Sequence, residues 1–133
     1  MKHAPPKPSE PILLVEDTED SREVMEALLE MEGYRVTCAT DGREALDRLE
    51  AGLRPCLILL DVSMPRMNGI EFRRIQAADE RFRDIPVILY SAIHEIAWLY
   101  PSLDVPVCRK PVDVDHILQM VAERCGQRQV VSA

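Results

Sequence analysis

The sequence predicts an α/β fold: a single doubly wound, five-stranded parallel sheet in the order 2-1-3-4-5, flanked by helices, with a shortened fourth helix. Two observations predict it. Short apolar runs alternate along the chain with segments of helical spacing, and such runs are typical of strands covered on both faces. Five strand–helix units in 133 residues favour a right-handed doubly wound sheet, in which this strand order is common.

Five segments have the composition of strands. The first, "PILLVED", is a continuous apolar run typical of a strand buried on both faces, whereas the second, "YRVTCAT", alternates like an edge or half-covered strand. The third and fourth, "CLILLD" and "IPVILYS", are again apolar, and the fifth is "VPVCRK". In chain order the predicted strands are 11–17, 34–40, 56–61, 85–91 and 105–110.

Apolar spacing and a following glycine predict three of the helices, and the first two also have a start signal. Asp20 with Glu23 and Asp41 with Glu44 form D-x-x-E start signals for the first and second helices. The apolar stripes expected to face the sheet are Val24, Ala27, Leu28 and Met31 in the first helix, Ala45, Leu46 and Leu49 in the second, and Val114, Ile117, Leu118 and Val121 in the last.

The two remaining helices differ in length. A helix is expected from about Asn68 to about Ala78, with Asn68 as its cap. The fourth helix is predicted at 93–99 and is short, because only about fourteen residues separate Ser91 from the fifth strand, near the lower limit for such a crossover. The chain from Pro101 onward must then return to the sheet without regular structure.

Composition limits the function classes. We interpret residues 1–10 as a flexible, proline-rich leader, 11–125 as one domain and 126–133 as a tail. A net charge of -7 argues against nucleic-acid binding. No apolar run approaches the roughly 18 residues of a membrane span, and the leader has no apolar signal region. We therefore expect no nucleic-acid or membrane partner.

The spacing of the cysteines bears on the cellular compartment of the protein. Cys38, Cys56, Cys108 and Cys125 are scattered and form no C-x-x-C pair. This spacing is unlike that of a zinc site. We expect a cytoplasmic location with reduced thiols.

Polar residues stand at the predicted carboxyl ends of four strands: Glu16 and Asp17, Asp61, Ser91 and Lys110. In a sheet of this order these ends meet where the winding reverses, which is where ligands bind. Three carboxylates favour a hard divalent ion such as Mg²⁺. Asp61 could then attack a phosphoryl donor, with Lys110 and Ser91 contacting the transferred group. Taken singly, each of these residues is more often a helix cap or a solvated loop residue, and only their convergence favours the site.

Lysine usage supports this site. The chain has only three lysines beside 13 arginines, and Lys110 is the one lysine outside the leader. A compact ammonium group contacts a phosphoryl oxygen as a point charge, which a planar guanidinium does not reproduce.

These motifs resemble the receiver domain of two-component response regulators over residues 11–125. The matching pieces are "LLVED", "ILLD" followed by "MPRMNG", "YSA" after the fourth strand and "RKP" after the fifth. The separation of 30 residues between Asp61 and Ser91 is typical of that family. The order and spacing of the pieces together carry the resemblance.

The resemblance implies a function and a metal site. Asp61 would accept a phosphoryl group from a histidine kinase or a histidine phosphotransfer protein. Glu16, Asp17, Asp61 and the carbonyl of Ser63 would surround Mg²⁺. Such a domain is a signalling module that assists its own phosphorylation and dephosphorylation rather than an enzyme in the usual sense.

It also implies roles for residues after the fourth and fifth strands. Ser91 and Lys110 would bind the phosphoryl group, and the bond between Lys110 and Pro111 would be cis. Residues two after the acceptor and two after the hydroxyl residue, here Ser63 and Ile93, would flank the path of attacking water. Ile93 offers that water no hydrogen bond, which predicts slow self-dephosphorylation unless Ile93 turns inward to pack.

Two departures from the family pattern bear on the output. Val107 stands where the family usually has the tyrosine or phenylalanine that turns inward on activation. The short fourth crossover is the second departure, and its apolar residues could fill the core or dock a partner or a second copy. They are Ile96, Trp98, Leu99, Tyr100 and Leu103. A downstream protein could therefore bind through 92–110. The alternative function is a receiver-like module that signals by binding without phosphotransfer.

Overall fold

The computed structural model describes residues 10–62, 67–91, 105–110 and 113–126. Strands and helices alternate through these ranges as the sequence predicts. The elements are β1 (Ile12–Val15), α1 (Glu19–Met31), β2 (Val36–Ala39), α2 (Gly42–Glu50), β3 (Leu57–Asp61), α3 (Gly69–Ala78), β4 (Val87–Ser91), β5 (Val107–Arg109) and α4 (Val114–Cys125). The short helix predicted at 93–99 lies outside the described residues.

The five strands form one parallel sheet in the order β2-β1-β3-β4-β5. The predicted fold class and strand order are thus confirmed. The register pairs Asp61 at the end of β3 with Tyr90 of β4, and Ser91 with Arg109 of β5. The carboxyl ends of the central strands therefore lie side by side.

Both faces of the sheet are covered, as the apolar strand runs require. Alternate residues of β1 and β3 point to opposite faces. Leu13 and Leu60 belong to the core cluster that contains buried residues of α2 and α3. Leu14 and Leu59 belong to the cluster that contains buried residues of α1 and α4. The central strands β1 and β3 are fully buried, while β2 is a half-buried edge strand.

The predicted buried stripe of α1 is wrong. Its buried residues are Met25 and Leu29, whereas Val24 is 62% exposed. Val24 and Leu28 instead line a groove of about 370 Å³ between α1 and the start of α4. Apolar residues occupy so many positions of this helix that two overlapping stripes satisfy the helical period, and packing on the sheet selects one.

The start of α1 also differs from the prediction, whereas the caps of α2 and α3 agree with it. Helix α1 begins at Glu19, ahead of the expected D-x-x-E signal, and its cap residue Thr18 makes no side-chain capping bond. In α2, Asp41 Oδ1 accepts a hydrogen bond from the amide of Glu44 at 2.8 Å. In α3, Asn68 forms a reciprocal capping box with Glu71, the third residue of the helix.

Two of the cysteines pair in the structure. Cys56 before β3 and Cys125 at the end of α4 form a disulfide, with Cα atoms 5.4 Å apart. Cys38 and Cys108 are free thiols. The expectation that all thiols are reduced is therefore wrong for the first pair. The sequence conceals the pairing because the two residues are 69 positions apart and meet only when α4 packs on the sheet.

Helix length bears on membrane association. Across the described ranges, no helix is both long enough and apolar enough to cross a bilayer.

Candidate functional site

Asp61 lies at the centre of the sheet edge. It is the last residue of β3, a strand buried throughout, and it is only 3% exposed. Lys110, directly after β5, donates a hydrogen bond from Nζ to Asp61 Oδ2 at 3.1 Å. The ammonium group therefore reaches across β4 to the carboxylate, where a charge-assisted hydrogen bond stabilises the negative charge.

Glu16 follows β1 and is completely buried. Its Oε2 accepts a hydrogen bond from the amide of Thr18 at 3.1 Å, and its Oε1 accepts one from the hydroxyl of Tyr90 at 2.9 Å. Lys110 Nζ lies 3.6 Å from the same Oε1. Arg22 of α1 donates to the backbone carbonyl of Glu16 at 3.0 Å. Both carboxylate oxygens and the backbone of Glu16 are thus held in place.

The two buried carboxyl groups perturb each other. Burial and the hydrogen bond and charge of Glu16 raise the pKa of Asp61 to about 6, although Lys110 acts in the opposite direction. Burial also acts to raise the pKa of Glu16, but hydrogen bonds with Asp61, Thr18 and Tyr90 outweigh it and lower that pKa. Strongly shifted carboxyl groups at a strand end are typical of functional sites.

Asp17 completes a cluster of three carboxylates. One carboxylate oxygen from each of Glu16, Asp17 and Asp61 lies within 4.8 Å of the other two. Asp17 is exposed, so one side of the cluster is open to solvent. The donors are all hard oxygen atoms carrying net negative charge, which fits the ligand preference of Mg²⁺. Ser63, whose carbonyl was expected to join them, lies outside the described residues.

The other predicted site residues are only partly described. Ser91 ends β4 and pairs in register with Arg109, which puts its backbone at the same sheet edge as Asp61. Val107 begins β5, is half-buried and packs against the core on the α2 and α3 side. Ile93 and Pro111 lie outside the described residues, as does most of the predicted docking segment 92–110.

Sequence reasoning missed Tyr90. It sits in β4 immediately before Ser91, is 2% exposed, and contacts two residues of the site. The available signal was a residue with a polar tip within an otherwise aliphatic strand, since a buried tyrosine hydroxyl usually needs a hydrogen-bond partner.

Gly69 shapes the backbone next to Asp61, as its position in "MPRMNG" suggests. A Cβ atom at Gly69 would lie 2.7 Å from the carbonyl oxygen of Asp61 and 3.0 Å from the Cα of Val62. The amide of Gly69 donates to the carbonyl of Val62 at 3.0 Å. The start of α3 can therefore approach the end of β3 only because this residue lacks a side chain.

Comparison with known proteins agrees with this geometry. The profile of the response regulator receiver domain matches residues 12–122. Sporulation initiation phosphotransferase F of Bacillus subtilis is 34% identical over 117 residues, which are 85% of this chain and 91% of that protein. Response regulator MprA of Mycolicibacterium vanbaalenii is 38% identical over 94 residues, 70% of this chain and 39% of that protein. The chain thus spans less than half the length of MprA.

A solved structure shows the same similarity. The receiver domain of the sensor histidine kinase PA1611 from Pseudomonas aeruginosa, solved with a magnesium ion coordinated in its active site cleft, is 29% identical. The two superpose with a TM-score of 0.78 over 88% of this chain and 98% of that chain. Given the profile match over most of the sequence and the shared sheet order, the chain belongs to the receiver domain family of two-component response regulators.

Proposed function

We propose that this protein accepts a phosphoryl group on Asp61 from a histidine kinase or a histidine phosphotransfer protein, in the presence of Mg²⁺. The observation that supports this most directly is the contact of 3.1 Å between Lys110 Nζ and Asp61 Oδ2 beside the buried Glu16. A carboxylate at a strand tip with a single ammonium group against it is suited to attack phosphorus and to stabilise the transferred charge.

The proposed transfer step is a direct displacement. A carboxylate oxygen of Asp61 forms a bond to phosphorus as the bond between phosphorus and the donor imidazole nitrogen breaks. The electron pair of that bond stays on the nitrogen, which takes up a proton, and the product is an aspartyl phosphate. Lys110 would then donate hydrogen bonds to the phosphoryl oxygens, together with Ser91.

Glu16, Asp17 and Asp61 would hold the metal, with the carbonyl of Ser63 as a further oxygen ligand. The cluster of three carboxylates within 4.8 Å supports this assignment, and the magnesium ion in the related PA1611 receiver domain agrees with it. Bound Mg²⁺ supplies positive charge that offsets the repulsion between these carboxylates and the incoming phosphoryl group.

The proposal extends to signalling partners and location. The chain would act as a signalling module that assists its own modification, in the cytoplasm, where the ATP used by histidine kinases is found. Slow self-dephosphorylation, attributed to Ile93, and a downstream protein bound through 92–110 stay predictions from the sequence. Replacement of Ile93 by Glu or Gln, either of which could orient a water, is expected to speed the loss of phosphate.

The second candidate is a receiver-like module that signals by binding alone. Val107 favours it, because a half-buried valine packed against the core cannot turn inward as the aromatic residue of the family does. This candidate predicts partner binding that does not depend on Asp61.

Incubation with phosphoramidate and Mg²⁺, followed by intact-mass measurement, tests the proposed function. The wild type should gain one phosphate, and Asp61→Asn should gain none. Asp47→Asn, which changes an exposed carboxylate of α2, is the matched control and should be modified like the wild type. Labelling of Asp61→Asn, or equal labelling of the wild type in excess chelator, would contradict the proposal.

A further inference from the structure

We propose that Tyr90 is a positioning residue of this site, which fixes Glu16 for metal binding through its hydroxyl and orients Lys110 through its ring. The inference rests on the proposed function and adds a residue to it. Tyr90 is paired in register with Asp61, so it is the direct neighbour of the phosphate acceptor in the adjacent strand.

The hydroxyl of Tyr90 holds one oxygen of Glu16. It donates to Glu16 Oε1 at 2.9 Å, while the amide of Thr18 donates to Oε2 at 3.1 Å. Because Glu16 is completely buried, loss of the hydroxyl would remove a hydrogen bond that water cannot readily replace.

The ring of Tyr90 contacts the ammonium group. Lys110 Nζ lies 5.0 Å from the ring centroid, within the range of a cation–π interaction. The same nitrogen lies 3.1 Å from Asp61 Oδ2 and 3.6 Å from Glu16 Oε1. The ammonium group of the lysine thus lies between two carboxylates and an aromatic face.

These two contacts are chemically separable, which distinguishes positioning from simple core packing. Phenylalanine keeps the ring and removes only the hydroxyl, whereas leucine removes both. Outer-shell partners of metal ligands are typically worth about 10–100-fold in metal affinity. A residue that serves only to fill the core would show no such effect on replacement by phenylalanine.

The first experiment measures Mg²⁺ affinity by isothermal titration calorimetry. Tyr90→Phe should weaken binding about tenfold. Tyr34→Phe is the matched control, because Tyr34 is also buried and its hydroxyl donates to the carbonyl of Gly126 at 3.0 Å. That substitution should leave Mg²⁺ affinity unchanged. Equal affinity in Tyr90→Phe and the wild type would overturn the assigned role of the hydroxyl.

The second experiment measures the rate of phosphorylation by phosphoramidate at saturating Mg²⁺. Tyr90→Phe should then react as fast as the wild type, because its ring still orients Lys110. Tyr90→Leu should react more slowly even at saturation. A Tyr90→Leu rate equal to that of the wild type would overturn the role of the ring.

A third measurement needs no substitution in the site. With ¹³C-labelled tyrosine, Mg²⁺ should shift the ring Cζ resonance of Tyr90 and leave that of Tyr34 in place. An unmoved Tyr90 signal in a protein that binds Mg²⁺ would refute the inference even if the variants fail to fold. A wild type that neither binds Mg²⁺ nor takes up phosphate would overturn the proposed function as well, so the two failures are distinguishable.

Discussion

At the scale of single residues, the site depends on one ammonium group in a confined position. Lys110 Nζ contacts Asp61 Oδ2 and lies near Glu16 Oε1, over the ring of Tyr90. Its side chain is 30% exposed, so most of it is enclosed. A guanidinium group is wider and planar, and it cannot occupy the same point between two carboxylates.

Lys110→Arg is therefore expected to slow phosphorylation despite conserving charge. Lys110→Ala should slow it further, by about 10²-fold, because one preorganised donor to the transferred group is lost. The rate with phosphoramidate at saturating Mg²⁺ measures both effects. Arg43→Lys, at an exposed ion pair of α2, is the control. It exchanges the same two residue types in the opposite direction, away from the site. A normal rate in Lys110→Arg would show that positive charge alone suffices.

The free thiol of Cys38 gives a pH-dependent prediction. Burial, together with the nearby Glu26 carboxylate, raises the pKa of this half-buried thiol to about 11 from its usual 9.0. Only the thiolate reacts with iodoacetamide, so alkylation of the folded protein should keep rising with pH up to about 11. In urea-unfolded protein, the rate of alkylation should level off near the usual thiol pKa of 9.0.

The measurement is made in a Cys108→Ser background, because Cys108 is the other free thiol. Glu26→Gln should move the midpoint of the folded protein toward lower pH, since a negative charge beside the thiolate is removed. Identical profiles for folded and unfolded protein would contradict the raised pKa.

At the scale of elements, the approach of α3 to β3 sets the position of Asp61. Gly69→Ala would place a Cβ atom 2.7 Å from the Asp61 carbonyl oxygen, and the backbone must shift to admit it. We expect a loss of about 1–3 kcal/mol in the free energy of unfolding and reduced phosphorylation of Asp61. Urea denaturation and the intact-mass assay measure the two effects.

Gly52→Ala is the matched control for this substitution. Gly52 has a φ of +111° with no atom within 4 Å of an added Cβ, so alanine there strains the backbone without a clash. That variant should lose stability and yet keep normal phosphorylation. If both variants lose phosphorylation equally, the effect of Gly69 is general instability rather than displacement of Asp61.

At the scale of the whole molecule, the Cys56–Cys125 disulfide joins the start of β3 to the end of α4. It closes a loop across 69 positions of sequence. A cross-link of this kind restricts the unfolded chain, and such bonds typically contribute about 2–4 kcal/mol. The last helix is thereby tied to the strand that ends in Asp61.

Reduction with dithiothreitol should therefore lower the midpoint of urea denaturation of the wild type. The double variant Cys56→Ala/Cys125→Ala should show the lower midpoint with or without reductant. Thiol titration of denatured protein should give two free thiols before reduction and four after it. Four free thiols in oxidised, denatured protein would show that the bond does not form.

The sequence by itself determined the fold class, the strand order and the placement of Glu16, Asp17, Asp61 and Lys110 at one sheet edge. Continuous apolar strand runs require a parallel sheet covered on both faces. The helix caps at Asp41 and Asn68 are local signals, each encoded within three or four consecutive residues. Because the carboxyl ends of parallel strands lie at one edge of a sheet, Asp61 and Lys110 could be placed at the same edge from strand order alone, with β4 between them.

The tertiary structure decided what depends on contacts between distant segments. Tyr90 and Glu16 are 74 positions apart, and their hydrogen bond exists only in this strand register. The buried face of α1 passes through Met25 because the sheet selects one of two stripes that the helical period allows. The Cys56–Cys125 bond has the same origin. Spacing along a chain encodes local geometry, whereas the distance between remote side chains is set only by how the elements pack.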